Sequence, residues 1–545
     1  MSDSNSKLLR GTFVLTLATY TSRILGMIYV FPFVYLVGKI GSALYSYGYA
    51  QYTIFLFIST AGIPAAVSKF VSKYNSLGDY HTGMRMYRSG LIVMGLTGLL
   101  GFTILNLLAP IIAPIVLGGG GEAGNTVEDV TYVIRMVSFA LLVVPIMSIQ
   151  RGFFQGHQSM GPTAVSQVVE QVVRILFVLA ATFIVMNVIN GERVFAVGLA
   201  TFGAFIGALG GLVILLWYWF KRKPYLNEML AKSRPQTEMT TTEMFKELFS
   251  YAGPFVLVGL AIPLYQYVDQ LTFNRTMMEN GIGKDVSEGL FSYVTFMVPK
   301  LVMIPVSLAT AFSLTLVPTI TNSFTSGDFK LLRSQIDKTF QICVLLVLPA
   351  VVGLSALAYP AFNALFEMSE AGGRILRWYA PVAILFSFYS ISAAILQGIN
   401  KQKFAVVSLF MGLILKMSFN SLFITWFGEI GSVLATALGY TVAIAYCFWM
   451  ISRHAGYSYS LFARRSLLMA IFATVMALAI FLIEWLLSFI VGYENGRVQS
   501  VFVLLVGVAF GAVTYLFLAY RSRLLEVLIG NRFGFLSRNR QKAEQ

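Results

Sequence analysis

The chain has 545 residues, of which 57% are hydrophobic and only 12% are charged, whereas about 25% of an average soluble domain is charged. This composition excludes an ordinary soluble enzyme and indicates a polytopic membrane protein. The net charge is +15, but the basic residues are dispersed over many short connections, which argues against nucleic acid as a partner. The two cysteines and three histidines show no spacing typical of metal ligands, so we expect no metal and no bound cofactor.

Long apolar runs dominate the chain from its N-terminus onward. Because roughly 20 apolar residues cross the hydrocarbon core of a bilayer as a helix, these runs predict an all-α protein with about fourteen transmembrane helices. The predicted bounds are 11–37, 44–70, 89–116, 130–150, 162–187, 194–220, 250–275, 289–324, 339–362, 376–397, 403–427, 430–452, 465–491 and 499–520. The eighth is unusually long, and Pro299 and Pro305 predict a kink in it.

The positions of the basic residues predict the orientation of these helices. Most of the 39 lysines and arginines lie in the N-terminal segment, the even-numbered connections and the C-terminal tail. Cytoplasmic loops carry an excess of such residues, so we expect both termini to be cytoplasmic. No cleavable signal peptide is evident in the first apolar run.

The two halves of the chain resemble each other. Gln155-Gly156 and Arg174 superpose on Gln397-Gly398 and Lys416 at one constant offset, although apolar helices also resemble one another through composition alone. Transporters built from parallel repeats bind substrate between the repeats. We therefore expect an N-terminal lobe of six helices (1–220), a cytoplasmic linker (221–249), a C-terminal lobe of six helices (250–452), two accessory helices (453–521) and a basic cytoplasmic tail (522–545).

Four cations lie deep inside predicted helices: Arg23, Arg174, Lys300 and Lys416. An isolated guanidinium near the bilayer midplane costs at least ~2.5 kcal/mol, so these side chains must face a water-filled cavity or a partner. Convergence of several cations at one depth predicts a central cavity that receives an anion. The alternatives are an ion pair between helices for Arg23, snorkelling for Lys300 and a tie between helices for Lys416.

Two carboxylates are candidates for coupling transport to an ion. Glu170 precedes Arg174 by four residues, a spacing that favours an ion pair on one helix face. The alternative is that Arg174 contacts the cargo and that Glu170 adjusts the properties of Arg174. Asp269 lies within the seventh predicted helix, where a carboxylate could bind a proton or sodium, unless it sits at the outer interface. Coupling to a proton, to sodium or to the membrane potential therefore stays open.

Several motifs identify a family. They are Ser22-Arg23-Ile24-Leu25-Gly26, Gly62-Ile63-Pro64-Ala65-Ala66-Val67-Ser68-Lys69, Arg151-Gly152-Phe153-Phe154-Gln155-Gly156, and Glu170-Gln171-Val172-Val173-Arg174. With these motifs the whole chain resembles the multidrug/oligosaccharidyl-lipid/polysaccharide exporter superfamily. It is most similar to the MurJ-type lipid II flippases of Gram-positive bacteria and their sporulation relatives.

The resemblance implies a transporter of the bacterial cytoplasmic membrane and not an enzyme. Its implied cargo is lipid II, the undecaprenyl-diphosphate-linked disaccharide-pentapeptide of peptidoglycan synthesis, moved from the inner to the outer leaflet by alternating access. Membrane lipids and the cell-wall synthesis machinery are the implied partners. Arg23 matches an essential arginine of the family, and Lys300 falls where many relatives have a cavity arginine.

The sequence departs from many Gram-negative relatives at two places. Tyr29 and Val30 stand where those relatives have an Arg-Asp pair, and their second-helix arginine is missing near Gln51. We therefore expect a phosphate site built differently, with Arg174 and Lys416. The alternatives are a flippase for another prenyl-diphosphate-linked oligosaccharide and a cation-coupled multidrug exporter. The mainly positive midplane charges count against the exporter, and the short outside loops count against a membrane-embedded glycosyltransferase.

Overall fold

The computed structural model describes residues 2–60, 63–119, 124–233 and 260–522, together with Thr240, Glu243 and Leu524. Over these residues the regular secondary structure is helical, without strands, which confirms the predicted all-α class. The α-helices are α1 Ser2–Ile28, α2 Val30–Thr60, α3 Ile63–Ser76, α4 Tyr80–Leu117, α5 Val127–Ser138, α6 Ala140–Gly156, α7 Met160–Phe183, α8 Arg193–Ala231, α9 Ala261–Glu279, α10 Lys284–Ser292, α11 Val298–Thr325, α12 Phe329–Ala356, α13 Ala358–Leu365, α14 Glu370–Tyr379, α15 Val382–Gly398, α16 Gln402–Phe427, α17 Glu429–Ala455, α18 Ser460–Ser488 and α19 Arg497–Arg521.

Twelve helical stretches among the described residues are long and apolar enough to cross a membrane. The first of them, Val14–Thr60, has 47 residues and covers the first two predicted helices. Gly38 interrupts it with φ 68° and ψ −176°, directly after the predicted end of the first helix. The seventh predicted helix, 250–275, is described only from residue 260 onward. The observed spans therefore agree with about fourteen helices.

The eighth predicted helix is irregular where its prolines begin. α10 ends at Ser292, a π-helical turn follows from Tyr293 to Met297, and α11 contains Pro299 in its first turn. Proline has no N–H to give to the preceding turn and clashes with a regular helix there. The expected distortion is thus a π-helical turn, a form common at functional positions.

One local turn recurs at corresponding positions of the two halves. α6 ends at Gly156, Gln158 has a φ of 56°, and α7 begins at Met160. α15 ends at Gly398, Asn400 has the same φ of 56°, and α16 begins at Gln402. Non-glycine residues rarely adopt a positive φ, so this shared turn is a specific signature of one motif used twice.

A second turn is also repeated. Gly78 and Gly327 have φ values of 74° and 73°, and the next residue in each case caps a helix. The carboxylate of Asp79 accepts from the backbone N of Thr82, and that of Asp328 accepts from the backbone N of Leu331. Aspartate is among the preferred N-cap residues because it satisfies such an otherwise unpaired N–H.

Backbone contacts divide the chain into two compact units, Met1–Phe296 and Met297–Gln545. This boundary differs from the predicted linker at 221–249, because α9 and α10 pack with the first unit against α2 and α4. The first part of the predicted linker is also not a loop, since α8 continues as a helix through Pro224 to Ala231. The six-helix lobes defined by the repeat remain a prediction.

Small residues allow close helix packing in the first unit. A Cβ atom on Gly152 of α6 would lie 2.3 Å from the carbonyl oxygen of Pro64, and one on Gly48 of α2 would lie 2.7 Å from a methyl group of Val133. In a membrane the hydrophobic effect does not drive helices together, so helices associate through close van der Waals packing at such small residues.

An aromatic cluster joins three helices in the second unit. The buried ring of Phe340 on α12 lies 5.2 Å from Phe448 of α17 and 5.4 Å from Phe462 of α18, measured between ring centroids. The accessory helices α18 and α19 meet where Gly511 approaches Ile480. Aromatic pairs at these distances add to the stability given by burial alone.

Candidate functional site

Arg174 lies in α7 of the first unit and is held by tyrosines of α2. Its Nη2 donates to the hydroxyl of Tyr45 at 3.2 Å, and its guanidinium carbon lies 5.2 Å from the ring centroid of Tyr49. The hydroxyls of Tyr45 and Tyr29 are 3.3 Å apart. Within the described residues, Nε of Arg174 is buried without a hydrogen-bond partner. Since buried donors are nearly always paired, an unpaired N–H at this position is unusual.

A glycine on α8 lets the backbone beside Arg174 come close. A Cβ atom on Gly207 would lie 2.7 Å from Cβ of Arg174 and 2.8 Å from the carbonyl oxygen of Glu170. Any larger residue at this position would push α7 and α8 apart. The position of Arg174 is thus fixed by tyrosines on one helix and by tight backbone packing on another.

Glu170 does not form the predicted ion pair with Arg174. Its Oε2 instead accepts from Nη2 of Arg151 at 2.7 Å, and Arg151 also donates to the hydroxyl of Ser166. Arg151 projects from α6 toward this face of α7, and its planar guanidinium donates to a carboxylate and a hydroxyl at the same time. Glu170 therefore links α6 to α7 and does not pair with Arg174.

Arg23 is exposed on α1, and α1 packs directly on α7. Thr19 Oγ1 donates to Oε1 of Gln167 at 3.1 Å, and a Cβ atom on Gly26 would lie 3.1 Å from the side chain of Gln171. These two contacts lie on either side of Arg23 along α1. The structure therefore brings Arg23 beside the stretch of α7 that also carries Glu170 and leads to Arg174.

Asp269 is buried in α9, with 4% of its surface exposed, which is inconsistent with a position at an exposed interface. The next residue, Gln270, joins α9 to α2: it accepts from Nε2 of Gln51 at 2.9 Å and donates to the carbonyl oxygen of Ser46 at 3.1 Å. Gln51 lies where the family arginine of the second helix is missing. An amide pair thus forms at the place where the sequence lacks that arginine.

The remaining predicted cations, Lys300 and Lys416, belong to the second unit. Lys300 is half-buried in the first turn of α11. Lys416 is fully buried in α16 and donates through Nζ to Oγ1 of Thr436 on α17. In this conformation Lys416 therefore links two helices, and substrate contact by Lys416 stays a prediction.

Residues around Arg174 were missed by the sequence reasoning. They are three tyrosines of α2 and one between α1 and α2: Tyr45, Tyr49, Tyr52 and Tyr29. A signal existed, since Tyr45, Tyr49 and Tyr52 recur at helical spacing in an otherwise apolar run and so share one face. Tyrosine also occupies one of the two positions where the family pattern is broken.

A bundle of long apolar helices that carry cations within them is typical of a membrane transporter. The chain belongs to the family of polysaccharide biosynthesis proteins, whose profile matches residues 8–324.

Named relatives cover almost the whole chain. The chain is 54% identical over 541 residues to "Lipid II flippase MurJ" of Bacillus subtilis (strain 168), which covers 98% of this chain and 99% of that protein. It is 23% identical to "Stage V sporulation protein B" of the same organism, over 79% of this chain and 81% of that protein.

Solved structures share the fold. A structure described as "Lipid II flippase MurJ, inward closed conformation" matches with a TM-score of 0.65 and 17% identity, covering 95% of this chain and all of that one. An inward-facing multidrug resistance MATE family transporter matches with a TM-score of 0.59 and 16% identity, covering 79% of this chain and 98% of that one.

Proposed function

We propose that this protein is a flippase that moves lipid II from the inner to the outer leaflet of the bacterial cytoplasmic membrane. The observation that carries the proposal is the packing of α1, which carries the exposed Arg23, on α7, which carries Arg174. Both arginines lie on adjacent helices of one unit. The 54% identity to a protein named as a lipid II flippase supports the choice of cargo.

The chemistry of the cargo explains why arginines are needed. A diphosphate is a multiply charged anion that cannot enter hydrocarbon alone, and a guanidinium donates parallel charge-assisted hydrogen bonds to phosphate oxygens. Arg23 would make the first contact because it is exposed. Arg174 would follow with its guanidinium, which Tyr45 and Tyr49 keep oriented.

Lys300 is proposed as a third cation that contacts the diphosphate when the carrier rearranges. A lysine supplies charge without the planar fork of arginine, so it would neutralise the anion more than orient it. Lys416 is not included in this conformation, since it is fully buried.

Transport would proceed by alternating access without covalent chemistry. The prenyl tail stays in lipid while the head group occupies the cationic site, and partial neutralisation of the cations permits the switch. Moving one net charge through the membrane field is worth ~2.3 kcal/mol per 100 mV, which is enough to bias the direction. Both termini would be cytoplasmic, and the flipped product would be delivered to the cell-wall synthesis machinery.

Depletion in cells that lack any redundant flippase tests the proposal. We expect loss of lipid II on the outer leaflet and accumulation of intact lipid II inside. Unchanged exposure of lipid II with a different prenyl-diphosphate glycan trapped inside would move the cargo to another cell-envelope precursor. Unchanged exposure with no trapped glycolipid would reject a flippase of this class.

A further inference from the structure

Glu288 in α10 is a carboxylate that none of the steps above uses. It is fully buried, and it lies one turn into a helix that follows a connection predicted to be outside. A buried ionised carboxylate is costly unless hydrogen bonds and charges compensate it. Ionisable residues inside membrane segments mark functional positions by default, so the partners of Glu288 indicate what it does.

Asn125 supplies the hydrogen bonds. Its backbone N donates to Oε2 of Glu288 at 3.0 Å, and its Nδ2 donates to the same oxygen at 2.6 Å. Nδ2 also donates to the carbonyl oxygen of Ile40 at 3.2 Å. One carboxylate thus fastens the connection before α5 to α10, and the same asparagine fastens it to α2.

The backbone of this connection fits closely over the carboxylate. Gly124 has a φ of 87°, and a Cβ atom there would lie 3.0 Å from Oε2 of Glu288. Gly124 itself is exposed. The buried carboxylate therefore lies in contact with the Cβ position of an exposed glycine, which places it close to the surface.

Neighbouring residues extend the same contact to α9. Ser287 Oγ donates to Oδ1 of Asn274 at 2.9 Å, and Nδ2 of Asn274 donates to the hydroxyl of Tyr47 on α2. Glu288 is therefore part of a polar set that holds α9 and α10 against α2. These are the helices that the repeat assigns to the other lobe, so a change here is suited to accompany a change of lobe arrangement.

We propose that Glu288 is a proton-binding site that acts as a latch on Asn125, two residues before α5. When ionised, the carboxylate accepts hydrogen bonds from both N–H groups of Asn125 and holds this residue against α10. When one proton from the outside solution binds an oxygen of the carboxylate, the group becomes neutral, its charge-assisted hydrogen bonds weaken and Asn125 is released. The coupling role of this latch in transport rests on the proposed function, whereas the latch itself is a property of the protein alone.

Charged groups from several elements surround Glu288. Lys284 lies on the same helix, and Asp129 lies at the start of α5. Lys39 of α2 reaches the next residue, since its Cδ lies 3.0 Å from the Cβ position of Gly289. Both cations and one anion thus stand near the carboxylate, beside the two N–H donors of Asn125.

Hydrogen exchange on the purified full-length protein tests the latch. We expect the protection of the Asn125 amide, corrected for intrinsic exchange, to fall by about tenfold or more between pH 8 and pH 5, because a hydrogen bond to a charged group is lost. Glu288→Gln should show low protection at both pH values, and Glu128→Gln, which alters an exposed carboxylate of the same segment, should behave as wild type. Protection that is independent of pH in the wild-type protein would overturn the proposal, whatever the variants do.

A transport assay separates this proposal from the proposed function. In vesicles loaded with lipid II, we expect the wild-type rate to depend on the pH at the predicted outside face and the Glu288→Gln rate not to. Lipid II transport with the same pH dependence in both proteins would overturn the coupling role and leave the flippase intact. Proton-dependent loosening of Asn125 without any lipid II transport would support the latch and reject the proposed cargo.

Discussion

The hydroxyl of Tyr45 accepts a hydrogen bond from Nη2 of Arg174 at 3.2 Å, across two helices of the first unit. The same hydroxyl lies 3.3 Å from that of Tyr29, and the Tyr45 ring stacks on Tyr49 at 5.4 Å. A guanidinium among neutral hydroxyls and aromatic faces is oriented but not neutralised. Arg174 therefore keeps its full charge for an incoming anion, which a carboxylate partner would have cancelled.

Tyr45→Phe should lower the transport rate by about tenfold. The change keeps the ring and its packing but removes a hydrogen bond to a charged group, worth about 1.5–3 kcal/mol, and frees the guanidinium to rotate. Initial rates of lipid II transport in vesicles at several substrate levels measure the effect. The matched control is Tyr515→Phe, because the buried hydroxyl of Tyr515 has no hydrogen-bond partner among the described residues. Equal rates for Tyr45→Phe and wild type would show that orientation of Arg174 is unimportant.

Arg23→Ala should abolish transport while the protein level stays normal, because the side chain is exposed and contributes little to packing. Arg23→Lys should retain partial transport, since it keeps the charge but loses the bidentate geometry. Complementation of a depleted strain, with immunoblots of the membrane fraction, gives both quantities. Arg88→Ala on α4, which also removes an exposed arginine, should complement fully. Normal growth with Arg23→Ala would remove the central claim about the cationic site.

Lys416→Met and Arg174→Met should differ although the two positions are equivalent in the repeat. Lys416 is fully buried against Thr436, and replacing a buried charge by an apolar residue of similar volume is often neutral or stabilising. Thr436 would keep its own hydrogen bond to the carbonyl oxygen of Ser432 at 2.9 Å. We expect transport within about threefold of wild type for Lys416→Met, where only packing is exchanged, and a complete loss for Arg174→Met.

Melting temperature in detergent separates folding from function for this pair of variants. Loss of transport by Lys416→Met at an unchanged melting temperature would indicate that Lys416 contacts the substrate. It would then have to become accessible in another conformation of the carrier.

The helices and their repeat could be predicted from the sequence because both rest on local chemistry. Apolar runs of membrane length predict helices whatever they pack against, and the matching of Gln155-Gly156 with Gln397-Gly398 reappears as identical turns at Gln158 and Asn400. The end of the first predicted helix at residue 37 likewise agrees with the interruption at Gly38. These features require no knowledge of which helices are neighbours.

The partners of the charged residues could not be predicted in this way. Glu170 has Arg174 four residues ahead, but Arg151 of α6 reaches it at 2.7 Å, and only the packing of α6 on α7 decides between them. Lys416 matched Arg174 in the alignment but lies fully buried, since its environment depends on Thr436 of a different helix. Glu288 was overlooked because its partner, Asn125, lies in a connection far away in sequence.

Gly207→Ala should destabilise the protein by about 1–3 kcal/mol, the usual range for overpacking, and should also reduce transport. The new methyl group would lie 2.7 Å from Cβ of Arg174 and 2.8 Å from the backbone oxygen of Glu170. These atoms belong to or adjoin the backbone of α7 and cannot move out of the way by a side-chain rotation. We therefore expect α7 to shift and Arg174 to move with it.

The comparison variant is Gly95→Ala on α4, where no heavy atom lies within 4 Å of the new Cβ and where alanine favours the helix by about 0.5–1 kcal/mol. Thermal unfolding of both variants in detergent, with transport rates from vesicles, should show loss in the first and none in the second. A Gly207→Ala protein that melts and transports like wild type would mean that α7 and α8 tolerate separation, and that the position of Arg174 is set by its tyrosines alone.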